Sequence, residues 1–277
     1  MVKLSGYQAK AKIPLLIGTD EEGGTVTRVS SNPQLRESRF PAQRALFAEG
    51  GAELLRRTEE DKCDFLKSLG INVNFAPVCD LSDDPAGFMY PRSLGLPAEE
   101  TAKVIAEIVQ VYGEKQTGCV LKHFPGYGNA ADTHEGIVYD DRALEIFQLA
   151  DFLPFAAGIE AGAECVMVAH NIVPCVDADI PVSLSPAWNA VLREQLGFEG
   201  VIITDDLGMG AIEEYTDSAS AAVDAVLAGN DMLCCSNYDT QYPAVLEAVR
   251  NGTIEEARIN ESVLRILHWK RELGLLE

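Results

Sequence analysis

The sequence predicts an α/β fold of the TIM type, a barrel of parallel strands surrounded by helices, as a single domain over residues 1–277. Short, continuously apolar runs alternate along the chain with longer amphipathic segments, which is typical of repeated strand–helix units. No linker or low-complexity tract separates these units. Nearly every apolar run also ends in a polar residue, and in a TIM barrel the carboxyl ends of the strands meet at one pole. In an open, doubly wound sheet such residues would gather only near the point where the strand order reverses.

Six apolar runs are predicted to be strands. Because they are apolar throughout rather than in alternation, both faces of each strand are expected to be buried, as in a parallel sheet. They occupy residues 13–20, 72–81, 119–124, 165–171, 200–206 and 231–235.

Amphipathic segments predict the helices at residues 3–11, 98–116, 142–162, 185–197, 242–252 and 253–274. The helix at 185–197 has the clearest boundaries. Ser185 is a capping residue, Pro186 suits the first helical position and Gly197 is a typical terminator.

The strand count predicts an incomplete barrel wall. A closed barrel of this type has eight strands, and a short helix directly precedes the first predicted strand. We therefore expect that the first one or two strands are missing at the N-terminus of this domain. The open strand edges are then expected to be covered by a helix or by a second copy in a homo-oligomer.

Charge and composition narrow the partners and the compartment. The formal net charge is −21, from 43 acidic and 22 basic residues, and such a field repels nucleic acids and anionic membranes. No run of 18 apolar residues and no signal-type segment is present, which predicts a cytoplasmic protein unless a signal peptide lies upstream of Met1. Seven cysteines without a CxxC pair predict free thiols and no zinc site.

The loop "KHFPGYGNAADTH" concentrates titratable groups. Lys122 and His123 end a predicted strand and have donors suited to sugar hydroxyls or a carboxylate. Asp132 and His134 are two residues apart, so in an extended segment their side chains share a face. The carboxylate would then fix one imidazole nitrogen as N–H and make the ring a general acid/base. The alternative is a polar loop without a catalytic role.

Other strand ends offer further candidates. Asp205 and Asp206 follow a buried strand, where one carboxylate would face the barrel mouth as a nucleophile or cation stabiliser and the other would cap the next helix. Asp20 ends the first strand, with Arg28 beyond it. Arg92 follows the second strand, and its position alone is also typical of a surface arginine.

In combination, the segments "DEEGG", "KHFPGYG", "DTH" and "TDDLGM" resemble, in this order, the patterns DQEGG, KHFPGHG, DSH and SDDLxM. Those patterns are typical of the β-N-acetylhexosaminidase branch of glycoside hydrolase family 3. The resemblance covers essentially the whole chain. The chain departs from the patterns at Tyr127, where the family usually has histidine, and at Thr133, where it has serine.

The resemblance implies a retaining exo-glycosidase that releases β-linked N-acetylglucosamine from cell-wall or chitin-type glycosides, with carbohydrate as its partner and without a metal or organic cofactor. It implies that Asp205 is the nucleophile and that His134, held by Asp132, is the general acid/base. The residues that it implies for binding the sugar ring are Asp20, Arg28, Arg92, Lys122 and His123.

Three other functions stay open at this point. A neutral imidazole does not repel an anion, so phosphate would be able to replace water as the acceptor, which makes a phosphorylase. A barrel with an incomplete wall would bind sugar without turning it over. A metal-dependent hydrolase would use His123, His134 and His170, although their spacings match no ligand pattern.

Overall fold

The computed structural model describes residues 2–277 and has the α/β architecture that the sequence predicts. The strands are β1 (Gly18–Thr19), β2 (Glu21–Gly23), β3 (Val26–Thr27), β4 (Val73–Asn74), β5 (Gly118–Cys119), β6 (Leu121–Phe124), β7 (Cys165–Val168), β8 (Val201–Asp206) and β9 (Met232–Cys234). The α-helices are α1 (Val2–Lys10), α2 (Gln43–Ser68), α3 (Ala98–Glu114), α4 (Leu144–Ile146), α5 (Phe152–Glu160), α6 (Pro186–Ala190), α7 (Gly210–Tyr215), α8 (Ser218–Ala228), α9 (Tyr238–Arg250) and α10 (Glu256–Glu272). Short π-helical segments, Phe147–Asp151 and Val191–Gln195, extend α4 and α6.

All six predicted strand runs contribute parallel strands, and these strands lie side by side in chain order. β1 pairs with β4 and β4 with β5, whereas β6 to β9 pair in succession. A bridge between Val78 and Lys122 connects the two groups. Neighbours in space are thus neighbours in sequence, as in the wall of a TIM barrel.

The wall curves around an apolar interior. The inner cluster contains residues from the first run to the last: Leu16, Val73, Phe75, Val120, Cys165, Met167, Val201, Ile203 and Met232. Because Leu16 precedes β1 and Met232 lies in β9, the two ends of the wall face a common core. Among residues 2–277, no strand pairing joins β1 to β9.

Helix α10 covers part of this interior. Trp269 is 3% exposed and packs on the inner cluster together with Ile266 and Leu273. A Cβ on Gly118 would lie 2.9 Å from the Trp269 ring, so only glycine permits this approach. This packing lies against the interior of the wall, so the expectation that a helix or a second copy covers the open strand edges stays a prediction.

The helix at 185–197 begins as predicted, because the Ser185 side chain accepts the Trp188 N–H and Pro186 is the first helical residue. The sequence analysis missed α2, α7, α8 and the hairpin of β2 and β3. In α2, Glu59 and Lys62 are buried as an ion pair at 2.6 Å, and Gly50 and Gly51 kink the helix. Buried charges and a kink hide the apolar periodicity by which a helix is recognised.

Two further expectations concern composition. All seven cysteines are free thiols. Within the part of the chain that the structure describes, no helix is sufficiently long and apolar to cross a membrane.

Candidate active site

The carboxylate of Asp205 faces the mouth of the barrel because of strand parity. Successive residues of a strand point to opposite faces. In β8, Val201 and Ile203 belong to the inner cluster, whereas Ile202 packs outward against the helices. The same alternation places Asp205 on the inner face at the carboxyl end of β8, where it lines a cavity.

Asp206 has a structural use instead. Its carboxylate accepts hydrogen bonds from the Gly208 N–H at 2.9 Å, from the Ser236 N–H at 3.0 Å and from the Ser236 hydroxyl. These bonds tie the loop after β8 to the loop after β9. Helix α7 begins at Gly210 without a side-chain cap, so the expectation that the second aspartate caps this helix is wrong. The Asp205 carboxylate accepts only the Asp206 N–H, at 2.8 Å, within residues 2–277, and is free to meet a ligand.

The charge of Asp205 is favoured by its surroundings. Burial alone would raise the pKa of this carboxyl. Basic neighbours have the larger, opposite effect, so the pKa of Asp205 lies below its ordinary value. Those neighbours are the imidazoles of His123 and His170, which contribute when they are protonated, and the Lys122 ammonium, which is charged throughout. An aspartate that is ionised at neutral pH is in the form required of a nucleophile.

His170, which is fully buried just after β7, holds the backbone next to Asp205. Its Nε2 is 3.0 Å from the carbonyl oxygen of Asp206, and because a carbonyl only accepts, Nε2 must donate. Its Nδ1 then accepts from the Ser183 hydroxyl at 2.7 Å. Burial lowers the pKa of His170, so it is a neutral orienting group. The sequence analysis considered His170 as a metal ligand and missed these contacts.

Glu22 is the centre of a buried ion cluster beside the cavity. Arg92 contacts it at two points, with Nη2 2.7 Å from Oε1 and Nε 3.0 Å from Oε2. The Lys122 Nζ lies 2.7 Å from Glu22 Oε1 and 2.7 Å from Asp20 Oδ1. Burial raises the pKa of the Glu22 carboxyl, but Lys122 and Arg92 outweigh it and hold this pKa well below its usual range. The cluster fixes the positions of both cations in the cavity wall.

Asp80, which is also buried, orients His123. Its Oδ2 accepts from the His123 Nδ1 at 2.7 Å and from the His123 backbone N–H at 3.1 Å. An ionised carboxylate only accepts, so the ring proton lies on Nδ1. The His123 Nε2, which is 3.1 Å from the Arg92 Nη2, is therefore an acceptor. The predicted contact of His123 with sugar stays a prediction.

Asp132 and His134 pair as expected, but on a turn rather than in an extended segment. The Asp132 Oδ1 accepts both the backbone N–H of His134, at 2.9 Å, and its Nδ1, at 2.6 Å. The His134 side chain is 60% exposed, and its Nε2 has no hydrogen-bond partner among the described residues. The Phe88 ring lies edge-on to the imidazole, at 6.3 Å between centroids. The imidazole thus has one nitrogen fixed and one open to a ligand.

All eight residues that the sequence analysis selects line one lobe of a cavity at the barrel mouth, with a volume of about 410 Å³. They are Asp20, Arg28, Arg92, Lys122, His123, Asp132, His134 and Asp205. A second lobe of about 440 Å³ adjoins it and shares four of them, namely Asp20, Arg28, His134 and Asp205. Cys234, in the last strand, lines this second lobe. The geometry brings the candidates together, and the role of each one stays a prediction.

Arg28 differs from the other two cations of this cavity. Its guanidinium is exposed and makes no hydrogen bond or ion pair within residues 2–277, whereas Arg92 and Lys122 are held by Glu22. A free cation at the rim is available to a ligand at no cost in internal contacts.

The sequence analysis missed Glu22 and Asp80 as site residues. The sequence does contain indications of both, because Glu22 lies in the segment "DEEGG" and Asp80 ends an apolar run. Their partners, however, are Arg92, 70 residues away, and His123, 43 residues away. Such pairings appear only once the fold is known.

The metal-hydrolase alternative finds no ligand set. Among residues 2–277, no group of three or more His, Cys, Asp or Glu side chains is placed to hold a metal ion. Both ring nitrogens of His123 and His170 are engaged with protein atoms.

Glu22→Gln is expected to lower the free energy of unfolding by about 3 kcal/mol, because it leaves the buried Arg92 charge without a carboxylate partner and Lys122 with Asp20 alone. A carboxyl whose folded pKa is depressed stabilises above its unfolded pKa, about 4.3, and this contribution is lost as the pH falls toward the folded value. The difference between wild type and variant should therefore be larger at pH 7 than at pH 3 in urea unfolding. The exposed Glu37→Gln is the control, with a change within about 0.5 kcal/mol. Equal unfolding midpoints for wild type and Glu22→Gln at pH 7 would contradict the role of the cluster.

The fold and the site define a class, that of TIM-type α/β barrels with an acid-lined cavity at the carboxyl ends of the strands. Within this class, residues 2–269 match the model of the glycosyl hydrolase family 3 N terminal domain, and the chain belongs to this family. The resemblance noted from the sequence motifs and the TIM-type fold are both confirmed.

Named relatives agree with this assignment. A protein named beta-hexosaminidase from Xanthomonas axonopodis pv. citri is 37% identical over 218 residues, which is 75% of this chain and 63% of that relative. A beta-hexosaminidase from Idiomarina loihiensis is 33% identical over 267 residues, or 93% of this chain and 78% of the relative. The solved structure of a glycoside hydrolase family 3 beta-N-acetylglucosaminidase from Paenibacillus sp. superposes with a TM-score of 0.88 at 36% identity, covering 95% of this chain and 51% of that chain. The chain thus spans less than two thirds of the length of the Xanthomonas relative.

Proposed function

We propose that this barrel belongs to a retaining exo-β-N-acetylhexosaminidase, which releases terminal β-linked N-acetylglucosamine from cell-wall or chitin-type glycosides. The observation that supports it most strongly is the single cavity lined by Asp205 and by the Asp132–His134 pair. Names of relatives, beta-hexosaminidase and beta-N-acetylglucosaminidase, point to the same activity.

The first half of the reaction forms a glycosyl-enzyme. The Asp205 carboxylate attacks the anomeric carbon while the bond from that carbon to the leaving-group oxygen breaks. His134 gives a proton from Nε2 to this oxygen, and Asp132 stabilises the imidazolium through Nδ1. Retaining glycosidases ordinarily use two carboxyl groups about 5 Å apart, and here an imidazole takes the place of one of them.

The second half releases the sugar. The neutral His134 now accepts a proton from water through Nε2, and the water oxygen attacks the anomeric carbon as the bond to Asp205 breaks. Two displacements at one carbon leave its configuration unchanged, so the product is the β-anomer. The same imidazole acts as acid and then as base.

The ion cluster supports recognition of a terminal sugar. Glu22 presents Arg92 and Lys122 as fixed donors, and Asp20 adds carboxylate oxygens that only accept. Sugar hydroxyls both donate and accept hydrogen bonds, and this wall offers donors and acceptors for both kinds of bond. Arg28, whose guanidinium has no partner among residues 2–277, is free for a group at the rim.

The test uses the 277-residue chain with 4-nitrophenyl N-acetyl-β-glucosaminide, and the corresponding β-glucoside as the matched comparison. We expect turnover of the first substrate and, by proton NMR, a β-anomer as the first product. Assays with and without phosphate should give the same free sugar. Formation of a sugar 1-phosphate would select the phosphorylase, and binding without turnover would select the sugar-binding barrel.

We also propose a cytoplasmic location. Seven free thiols suit a reducing compartment, and the net charge of −21 opposes nucleic-acid and anionic-membrane partners.

A further inference from the structure

Tyr127 and Thr133, two of the positions at which the chain departs from the family patterns, contact each other. The phenol oxygen of Tyr127 lies 2.5 Å from the Thr133 hydroxyl oxygen. The exposed fractions of the two residues are 2% and 0%, and neither hydroxyl has another hydrogen-bond partner within residues 2–277. Each of these two buried hydroxyls is thus the hydrogen-bond partner of the other.

Thr133 lies in sequence between Asp132 and His134, the candidate acid/base dyad, and is anchored on a second side. Its carbonyl oxygen accepts the Ala211 N–H at 3.0 Å. Ala211 lies in α7, the helix that follows the strand bearing Asp205. The packing there is close, because a Cβ on Gly210 would lie 2.6 Å from the carbonyl oxygen of His134. Thr133 therefore connects the dyad to the element that carries the candidate nucleophile.

The dyad itself lacks such an anchor. The His134 side chain is 60% exposed and Asp132 is 26% exposed, and the imidazole is held by Asp132 and by the edge of Phe88. Exposed hydrogen bonds restrain a loop less than buried ones do. The fixed point of this segment is thus the buried residue between the pair.

Tyr127 is itself held firmly. Its backbone N–H donates to the Asp80 Oδ1 at 2.7 Å, and the other oxygen of this carboxylate orients His123. Its ring lies edge-on to His123 at 5.3 Å and to Phe88 at 6.0 Å. Burial raises the pKa of the phenol well above its usual range, so it stays protonated and able to donate. The Tyr127 side chain thus connects the His123 side of the cavity to the turn that bears His134.

We propose that the Tyr127–Thr133 hydroxyl pair positions the acid/base: it holds His134 at the height above Asp205 at which its Nε2 meets the leaving-group oxygen. This inference rests on the proposed glycosidase function and adds a positioning residue to it. Tyr127 acts through Thr133 and does not touch the reacting atoms.

The test compares Tyr127→Phe, which removes one oxygen and keeps the ring contacts, with Thr133→Val and with Thr133→Ser, which retains a hydroxyl. The measured quantity is kcat/KM over a series of aryl N-acetyl-β-glucosaminides, from 2,4-dinitrophenyl to 4-methylphenyl. We expect Tyr127→Phe to lose roughly tenfold on the poorest leaving group and less than about twofold on the best, because only the former needs a well-placed acid. Thr133→Val should behave likewise and Thr133→Ser should be close to wild type. Tyr242→Phe, on the exposed face of α9, is the control.

A second readout does not depend on turnover. Hydrogen exchange of the Ala211 amide, which Thr133 protects, should be faster in Tyr127→Phe than in wild type. Equal losses on all leaving groups, or unchanged exchange at Ala211, would overturn the positioning role while wild-type turnover still supports the glycosidase. If the wild type turns over no aryl glycoside, the proposed function fails, and the exchange result alone decides whether the pair holds the turn.

Discussion

Asp205→Asn is expected to reduce kcat for an aryl N-acetyl-β-glucosaminide by on the order of 10⁴-fold or more, because the amide cannot attack the anomeric carbon. Asparagine has the same shape, and the Asp205 carboxylate makes only one hydrogen bond, to the Asp206 N–H, within the described chain. The amide oxygen can accept that same bond. The loss should therefore appear in kcat with the melting temperature little changed.

The neighbouring Asp206 offers the matched comparison. Asp206→Asn makes the same chemical change one residue later, on a carboxylate that ties two loops together. We expect it to lower the melting temperature and to cost far less in kcat than Asp205→Asn does. A 2-fluoro glycosyl fluoride should label wild type on Asp205, as read by peptide mass spectrometry. A label on Asp206, or normal turnover by Asp205→Asn, would contradict the assignment.

The fold was largely predictable because parallel strands that are buried on both faces leave a clear sequence record. All six runs were found, although the hydrogen-bonded ladders are shorter than the runs. In the run at 72–81, regular pairing covers only Val73–Asn74 before an isolated bridge at Val78. Apolar composition indicates which residues are buried, and buried residues continue past the ends of the hydrogen-bonded strands. The predicted runs are therefore longer than the strands. The same signal fails for α2, whose buried Glu59 and Lys62 look like surface residues in sequence.

The site was predictable to the extent that it is local. Asp132 and His134 are close in sequence, and Asp205 follows from the alternation along β8. The supporting groups were not predictable, because their partners are distant in sequence. Nothing in the chain before folding indicates that Glu22 fixes Arg92 or that Tyr127 meets Thr133. In sequence, the residues expected to meet the substrate are thus easier to recognise than the residues that orient them.

His134→Ala is the second change with a large expected effect, and its size should depend on the leaving group. General acid catalysis contributes about 10²- to 10⁴-fold when the departing oxygen is a poor leaving group. A dinitrophenolate departs without a proton, so formation of the glycosyl-enzyme should be nearly unaffected for that substrate. Natural disaccharides and 4-methylphenyl glycosides should lose the full factor. Because the His134 ring is mostly exposed, its removal should leave the melting temperature almost unchanged.

Asp132→Asn separates the imidazole from its carboxylate. An asparagine oxygen can still accept the His134 backbone N–H, which preserves the turn, but it no longer stabilises an imidazolium at Nδ1. We expect a loss in the same direction as for His134→Ala and smaller. The slope of log kcat/KM against leaving-group pKa measures, for both variants, how strongly the rate depends on the leaving group. If His134→Ala lost the same factor on dinitrophenyl and methylphenyl substrates, the imidazole would not be the proton donor. The cavity would then have to supply the proton from another group, because Asp205 is already committed as the anion.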